Sequence, residues 1–397
     1  MPPSSYSIKH FDSITKIPRT LWTSCQGHGF TSYPFLAAME ESGATHKETG
    51  WTPMPSLLYA HKTHQDTSQA DKGVETLKAA VPLYSKSHSY GEFVFDHAWA
   101  HAAHNAHIPY YPKALIAAPF SPVNGPRILP STACHAHDMR ALFQTLIESI
   151  THHGLSSLHV TFLPRDQARE AEQAGCLTRY GIQYHWHNDS YASFDDFLNH
   201  MPSRKRKNIK KERHRLYQHD AHGLEIGMEH ASQLSDDDWH RFYTLYIDTI
   251  ERHHSYAYLP PSFFPLLAQK MPDHILVATA RLEKRGALQA AALHIKDDHT
   301  LYGRYWGATR PCRGLHFELC YYQAIIYAIA HHIHTIEAGA QGIHKLLRGY
   351  QPHITYSSHY IVHPQLRQAV ERFLQQERQD ITQHYEALKQ YAHRLTP

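Results

Sequence analysis

The chain has 397 residues, 42% of them hydrophobic and 19% charged, with a formal net charge of +3. This composition can build real cores and excludes global disorder, while near-balanced charge by itself selects no class of partner. No run of 18 apolar residues occurs, so no membrane span is expected. Five scattered cysteines (Cys25, Cys134, Cys176, Cys312, Cys320) form no CxxC pair and point to reduced thiols in the cytoplasm.

Residues 1–20 carry no apolar core and do not read as a secretory signal. Beyond them, "PFLAAMEESG" reads as a helix. "SLLYAHKT", "LKAAVPLYSKS" and "FVFDHAW" read as strands, "HDMRALFQTLIESITHHG" as a helix, and "SLHVTFLP" and "YGIQYHWHN" as two more strands. "SFDDFLNHMPSRKRKNIKKERHRLYQHD" is helical with a break at Met201-Pro202. The second half is clearer. "LEIGME" is a short strand, and "SDDDWHRFYTLYIDTIERHH" a helix with an N-cap serine and an acidic first turn. "PSFFPLLAQK" is a short helix. "HILVATARLE", "ALQAAALHIKD" and "TLYGRYWGAT" are three strands, the first two joined by a "KRG" hairpin turn. "LHFELCYYQAIIYAIAHH" is a long apolar helix, and "HTIEAGAQ" and "ITYSSHYIV" are strands; the helix crossover makes one parallel pair. Leu366, Val370, Leu374, Ile381, Tyr385 and Leu388 set a C-terminal amphipathic helix. The fold class is α/β with a mixed sheet. The repeated element order divides the chain into an N-terminal module (1–195), a basic helical connector (196–222) and a C-terminal module (223–397).

Four stretches carry candidate chemistry. "SRKRKNIKKERHR" holds eight Lys or Arg against Glu212. Such a run is either a solvated helix or a phosphate-binding face, with Arg206, Lys207 and Lys210 the candidate contacts. "RPCRGLH" opens a helix with Arg310, Arg313 and Gly314, where backbone amides favour phosphate or an oxyanion. In "YSKSHSYGEFVFDHAWAHAAH", His88, Glu92 and Asp96 alternate on one face of an expected strand. They form either an acceptor-binding cluster or a buried network, and Lys113 lies on the following loop. "EAGAQGIHKLLRGYQP" gathers Glu337, Gln341, His344, Lys345, Arg348 and Tyr350 where a strand ends. Two cations among glycines are costly to gather unless something negative meets them; that is an anionic substrate or, internally, Glu337. His97, His101, His104 and His107 fall at helical spacing. With 38 histidines spread through the chain, this reads as histidine-tolerant composition, and no metal site is assigned.

Together "SHSYGEFVFDHAWA", "YYPKALIAAPFSPVNGPR", "SRKRKNIKKERH", "YGRYWGA", "LHFELCYYQAI" and "EAGAQGIHKLLRGYQP" resemble the peptidoglycan biosynthesis/recognition family, a Fem-like branch of the GNAT acyltransferases. The resemblance runs from about Trp22 to Arg372. It implies tandem GNAT-like acyltransferase modules with a cleft between them. It also implies transfer of an acyl or aminoacyl group to an amine acceptor, a small molecule or peptidoglycan precursor. No cofactor is tightly bound; the donor co-substrate is acyl-coenzyme A or aminoacyl-tRNA. Glu337, Glu318 and His344 are then the candidates for taking the amine proton. His88, Glu92, Asp96, Lys113, Arg304, Gln341, Lys345, Arg348 and Tyr350 are candidates for binding substrate. Arg206, Lys207, Lys210, Arg310, Arg313 and Gly314 are candidates for donor phosphates. The loop "RPCRGLH" lacks the paired glycines usual for coenzyme A, which favours another donor such as aminoacyl-tRNA. A non-catalytic protein recognising a cell-wall precursor or phosphorylated ligand is the alternative.

Overall fold

The computed structural model describes residues 6–27, 29–61, 75–283, 286–339 and 342–393. The chain folds as two compact units: residues 1–181 with 355–381, and 182–354 with 382–397. Among the described residues no helix is long and apolar enough to cross a membrane.

In the first unit, strand Leu83–Lys86 pairs antiparallel with Lys113–Ile116. That strand pairs parallel with Ser157–Leu163, reached through helix Asp138–His152. Residues 356–361 of strand Gln351–Ile361 close the run antiparallel. Leu142, Phe143, Leu146 and Ile150, on one face of the helix, bury against Ile116, Leu158 and Val160. A smaller antiparallel sheet joins Tyr6–His10, Ser56–His61, Glu75–Val81 and Leu129–Pro130.

The second unit repeats this run. Strand Leu288–Lys296 pairs antiparallel with Thr300–Ala308, which pairs parallel with Thr335–Glu337. Residues 185–187 of strand Leu177–His187 close it antiparallel. Strands Leu224–His230 and Ile275–Leu282 extend the other edge. The first unit is thus finished by a strand from late in the sequence and the second by one that precedes its other strands. The crossover is a continuous helical stretch, 315–330, with one π turn at Glu318–Tyr322. Ser235 caps helix Asp236–Arg252 through a capping box with Asp238, the start that its sequence announces. A Cβ placed on Gly307 would sit 2.2 Å from the Leu245 carbonyl oxygen, so glycine there admits the backbone of this helix.

The basic segment forms helix Ser203–Arg215, preceded by Phe194–Asn199 with Pro202 at the break, and lies within the second unit. The final helix, Pro364–His393, buries Leu366, Val370 and Leu374 in the first unit's core and Leu388 in the second's. The "FVFDHAW" segment is a correction. Residues 87–96 form a tight loop, with Gly91 and Phe93 at φ +80° and +59°, and His97–Asn105 is a helix. Alternating Phe-Val-Phe imitates a strand. Among the described residues no strand pairs with it, and its polar side chains Ser89, Glu92 and Asp96 turn instead onto Lys113. The Lys284-Arg285 part of the hairpin turn lies outside the described residues.

Candidate functional site

Two clusters concentrate the polar chemistry, one in each unit. In the first unit, the loop 87–96 folds over two lysines with no solvent exposure, Lys86 and Lys113. Lys113 Nζ lies 2.9 Å from Glu92, donates to Ser89 Oγ at 2.8 Å and ion-pairs with Asp96. Tyr110 donates to Asp96 at 2.6 Å. Lys86 stands 4.0 Å from Glu92 and 4.0 Å from the centre of the Trp51 ring. His88 Nδ1 is 3.4 Å from Lys86 Nζ, and its Nε2 donates to the Thr49 carbonyl at 2.9 Å. Two cations and two carboxylates cancel, so the cluster is a neutral buried network. Burial pushes Lys86 down to about 7, and Glu92 up to about 7 against the pull of Lys113. The sequence thus brings Glu92, Asp96 and Lys113 together as singled out, with His88 on the rim. Lys86 is the missed member: a lysine on a strand ordinarily reads as solvent-facing.

In the second unit, the helical stretch 315–330 separates two hollows. On one side, the ladder between Thr300–Ala308 and Thr335–Glu337 ends at Tyr302 and Glu337. Beyond it a pocket of about 230 Å³ opens between Gly303, Arg304, Tyr305, His316, Tyr321 and Ala338. Opposite Leu293 the strand bulges at Arg304 and Tyr305, because His294 pairs with Gly303 while Ala292 pairs with Trp306. From Gly303 onward the strand has no partner on that edge among the described residues. Tyr321, in the pocket lining, has its Oη 3.0 Å from His344 Nε2. His294, also in the lining, donates from Nδ1 to the Ala292 carbonyl at 3.1 Å, which leaves Nε2 as the lone-pair nitrogen. Burial lowers His294 and His316 to about 4 each, and lowers His344 with help from Arg348 and Lys345. All three imidazoles are therefore neutral at pH 7. His294, His316 and Tyr321 are the residues sequence reading missed; nothing in a histidine-rich, aromatic chain marks them until the strands part.

On the other side, Glu318 is fully buried and accepts two bonds from Arg213, each 2.9 Å, with Tyr217 at 2.9 Å and Gln323 at 2.9 Å. Three of these bonds fall on Oε1 and one on Oε2, so the geometry makes it a brace between the basic helix and 315–330. Arg348 pairs with Glu212 at 2.8 Å and lies 3.4 Å above the centre of the Phe317 ring. Glu212 also accepts from Tyr322 at 2.8 Å. Lys345, 2% exposed, donates to the Gly339 carbonyl at 2.8 Å, and burial lowers it to about 8. Glu337 lies 3.9 Å from His185 Nε2. Tyr350 is fully buried against Tyr321, ring centres 5.6 Å apart. Gln341 lies outside the described residues. Lys207, Arg310 and Arg313 are exposed and Arg206 is half-buried; Lys210 pairs with Asp195 at 2.8 Å. Gly314, at φ +83°, caps the start of 315–330.

A family model described as peptidoglycan biosynthesis/recognition, FemAB-like, matches residues 13–394. Among solved structures, FemX is 11% identical, with 92% of this chain and 100% of that chain covered, at a TM-score of 0.53. A conserved protein of unknown function from Bacteroides thetaiotaomicron VPI-5482 is 10% identical, with 90% and 100% covered, at a TM-score of 0.50. A tandem GNAT protein from the clavulanic acid biosynthesis pathway is 11% identical, with 90% and 99% covered, at a TM-score of 0.45. No curated protein matches the chain. The likeness to FemX shows a shared mixed α/β fold, in keeping with the repeated strand run of the two units.

Proposed function

The chain belongs to the peptidoglycan biosynthesis/recognition family, and from that premise we propose that it is an N-acyltransferase or aminoacyltransferase whose chemistry takes place in the second unit's strand pocket. The observation that carries this reading is the parting of Thr300–Ala308 from Thr335–Glu337 beside a neutral histidine–tyrosine pair. A strand edge without a partner offers N–H and C=O groups to an extended acyl chain, and its N–H groups suit a developing oxyanion.

An acceptor amine attacks the donor's ester or thioester carbonyl. The new C–N bond forms, the C–O or C–S bond breaks, and the amine loses one proton while the leaving group gains one. Tyr321 donates to His344 Nε2, so a proton taken at the tyrosine oxygen can pass on to the imidazole. Its low basicity suits a role in relaying rather than storing the proton. No covalent enzyme intermediate is required; the pocket supplies position and a dry wall. Arg310 and Arg313, exposed at the start of 315–330, would hold donor phosphates. Pro311 removes one backbone N–H from that loop, so side chains rather than a peptide cradle would do so. Lys345 holds the Gly339 carbonyl, next to Ala338 of the pocket lining, in place of a substrate group.

The test is a mass-spectrometric screen of the purified protein with acyl-coenzyme A or charged tRNA and a panel of amine acceptors, cell-wall precursors included. Acceptor mass should rise by one acyl or aminoacyl group. Binding of an acceptor without any mass gain, with every donor tried, would replace the transferase by a recognition protein.

A further inference from the structure

The second hollow, at the start of the basic helix Ser203–Arg215, is not used by the chemistry above. It has a volume of about 600 Å³, within the range of small-ligand sites. Its lining includes Arg204, Lys205, Asn208, Leu347, Arg348 and Tyr391. Three of these are cations. The carboxylate in the lining, Glu212, is already claimed by Arg348 at 2.8 Å and by the Tyr322 hydroxyl at 2.8 Å. Lys205 is only 9% exposed and donates to the Leu346 carbonyl at 2.8 Å, with no carboxylate partner among the described residues. Arg348, itself 6% exposed, has an Nε with no hydrogen-bond partner. With Glu212 paired to Arg348, the buried Lys205 ammonium is left without a counter-charge and gives the pocket wall a net positive field. Burial and Arg348 lower Lys205 to about 8, as expected for a cation waiting for a counter-ion.

The mouth is of the opposite character. Leu347 and Tyr391 are 44% and 43% exposed, unusual for large apolar side chains. Asn208 adds an exposed amide that can both donate and accept. Cations inside, an aromatic and an aliphatic at the rim, and one amide between them match an anionic phosphate attached to a flat polar ring. We infer that this pocket is a nucleoside-phosphate site, with the phosphate on Lys205 and Arg204, the ring against Tyr391 and Leu347, and Asn208 on the ring or sugar edge. The inference rests on the pocket alone and not on the transferase reading.

The full chain is titrated calorimetrically with AMP, UMP, inorganic phosphate and vesicles of phosphatidylglycerol, none of which needs turnover. A nucleoside monophosphate should bind at least about tenfold more tightly than inorganic phosphate, since ring stacking adds on the order of 1–3 kcal/mol. Lys205→Gln should weaken binding of both phosphate and nucleotide by about tenfold or more. Tyr391→Ala should weaken the nucleotide alone. Should Lys205→Gln not fold, Arg204→Gln, which alters an exposed side chain, should still weaken both ligands. Equal affinity for nucleotide and phosphate, binding of vesicles only, or variants that bind as the parent does would each overturn the assignment. Any of these results leaves the transfer assay free to succeed or fail on its own.

Discussion

His159 and His359 face each other with their Nδ1 atoms 2.7 Å apart, both buried in the first unit. One ring must donate and the other accept, so at most one can carry the extra proton there, and burial lowers His159 to about 3 and His359 well below its ordinary value, which keeps both neutral at pH 7. A lowered folded-state value means that the unfolded chain binds the extra protons. The stability they contribute is complete above about pH 6.5 and is lost as pH falls toward about 3. Thermal melts should therefore drop steeply between pH 6.5 and 4. His359→Gln should flatten the slope near pH 5 by about 1.4 kcal/mol per pH unit, the effect of one proton; an unchanged slope would show that the pair is not buried neutral. At Glu318 the expectation is structural. Glu318→Gln leaves Arg213 without its bidentate carboxylate and should cost about 2 kcal/mol in urea unfolding, the worth of a hydrogen bond to a charged group. Such roles are poorly legible in sequence. Glu318 on a first helical turn offers the same letters to a catalytic and to a bracing reading, and only the positions of Arg213, Tyr217 and Gln323 separate them. Lys86 was hidden because its partners come from a loop that closes back on it.

Elements were more legible than side-chain roles. Ser235 followed by three aspartates gives the start of Asp236–Arg252, and Met201-Pro202 the break before Ser203–Arg215, because caps and prolines act locally. The loop at 87–96 misled for a physical reason. Strand identity depends on a neighbour to pair with, and alternation alone cannot supply one. The glycines of Thr300–Ala308 suggest a ligand or a bulge. The bulge is present at Arg304 and Tyr305, and Gly307 serves helix packing. Gly307→Ala should consequently force Asp236–Arg252 outward, costing about 3 kcal/mol and several degrees of Tm. Gly303→Ala, whose Cβ would meet nothing closer than 3.6 Å, should be tolerated within about 1 kcal/mol. Equal effects at the two positions would contradict this assignment. In the basic helix, exposed Lys207 and Lys211 face solvent, whereas Lys205 and Arg213 are drawn into the unit. The charge run is thus divided in function, a division that residue type alone cannot reveal.

At the scale of the whole molecule, the two units carry the same strand run but treat the end of the parallel pair differently. In the second unit it opens into the strand pocket. In the first, the loop after Lys113–Ile116 is filled by Arg127, fully buried and donating to the Gly125 carbonyl at 2.9 Å and the Pro126 carbonyl at 3.2 Å, with Val123 also accepting. The repeated order of elements was legible in the sequence. The filling of the first unit's loop was not, because it turns on Arg127 folding back onto that loop. On the proposed reading transfer takes place in the second unit's strand pocket, and the most direct test fills that pocket. Ala338, in its lining, is replaced by leucine, and transfer of an acyl or aminoacyl group to the amine acceptor is followed by mass alongside thermal stability. Transfer should fall by more than about a hundredfold, as for other losses of reactant positioning, while Tm stays within a few degrees of the parent. Undiminished transfer by a folded Ala338→Leu protein would contradict the placement of the chemistry in this pocket.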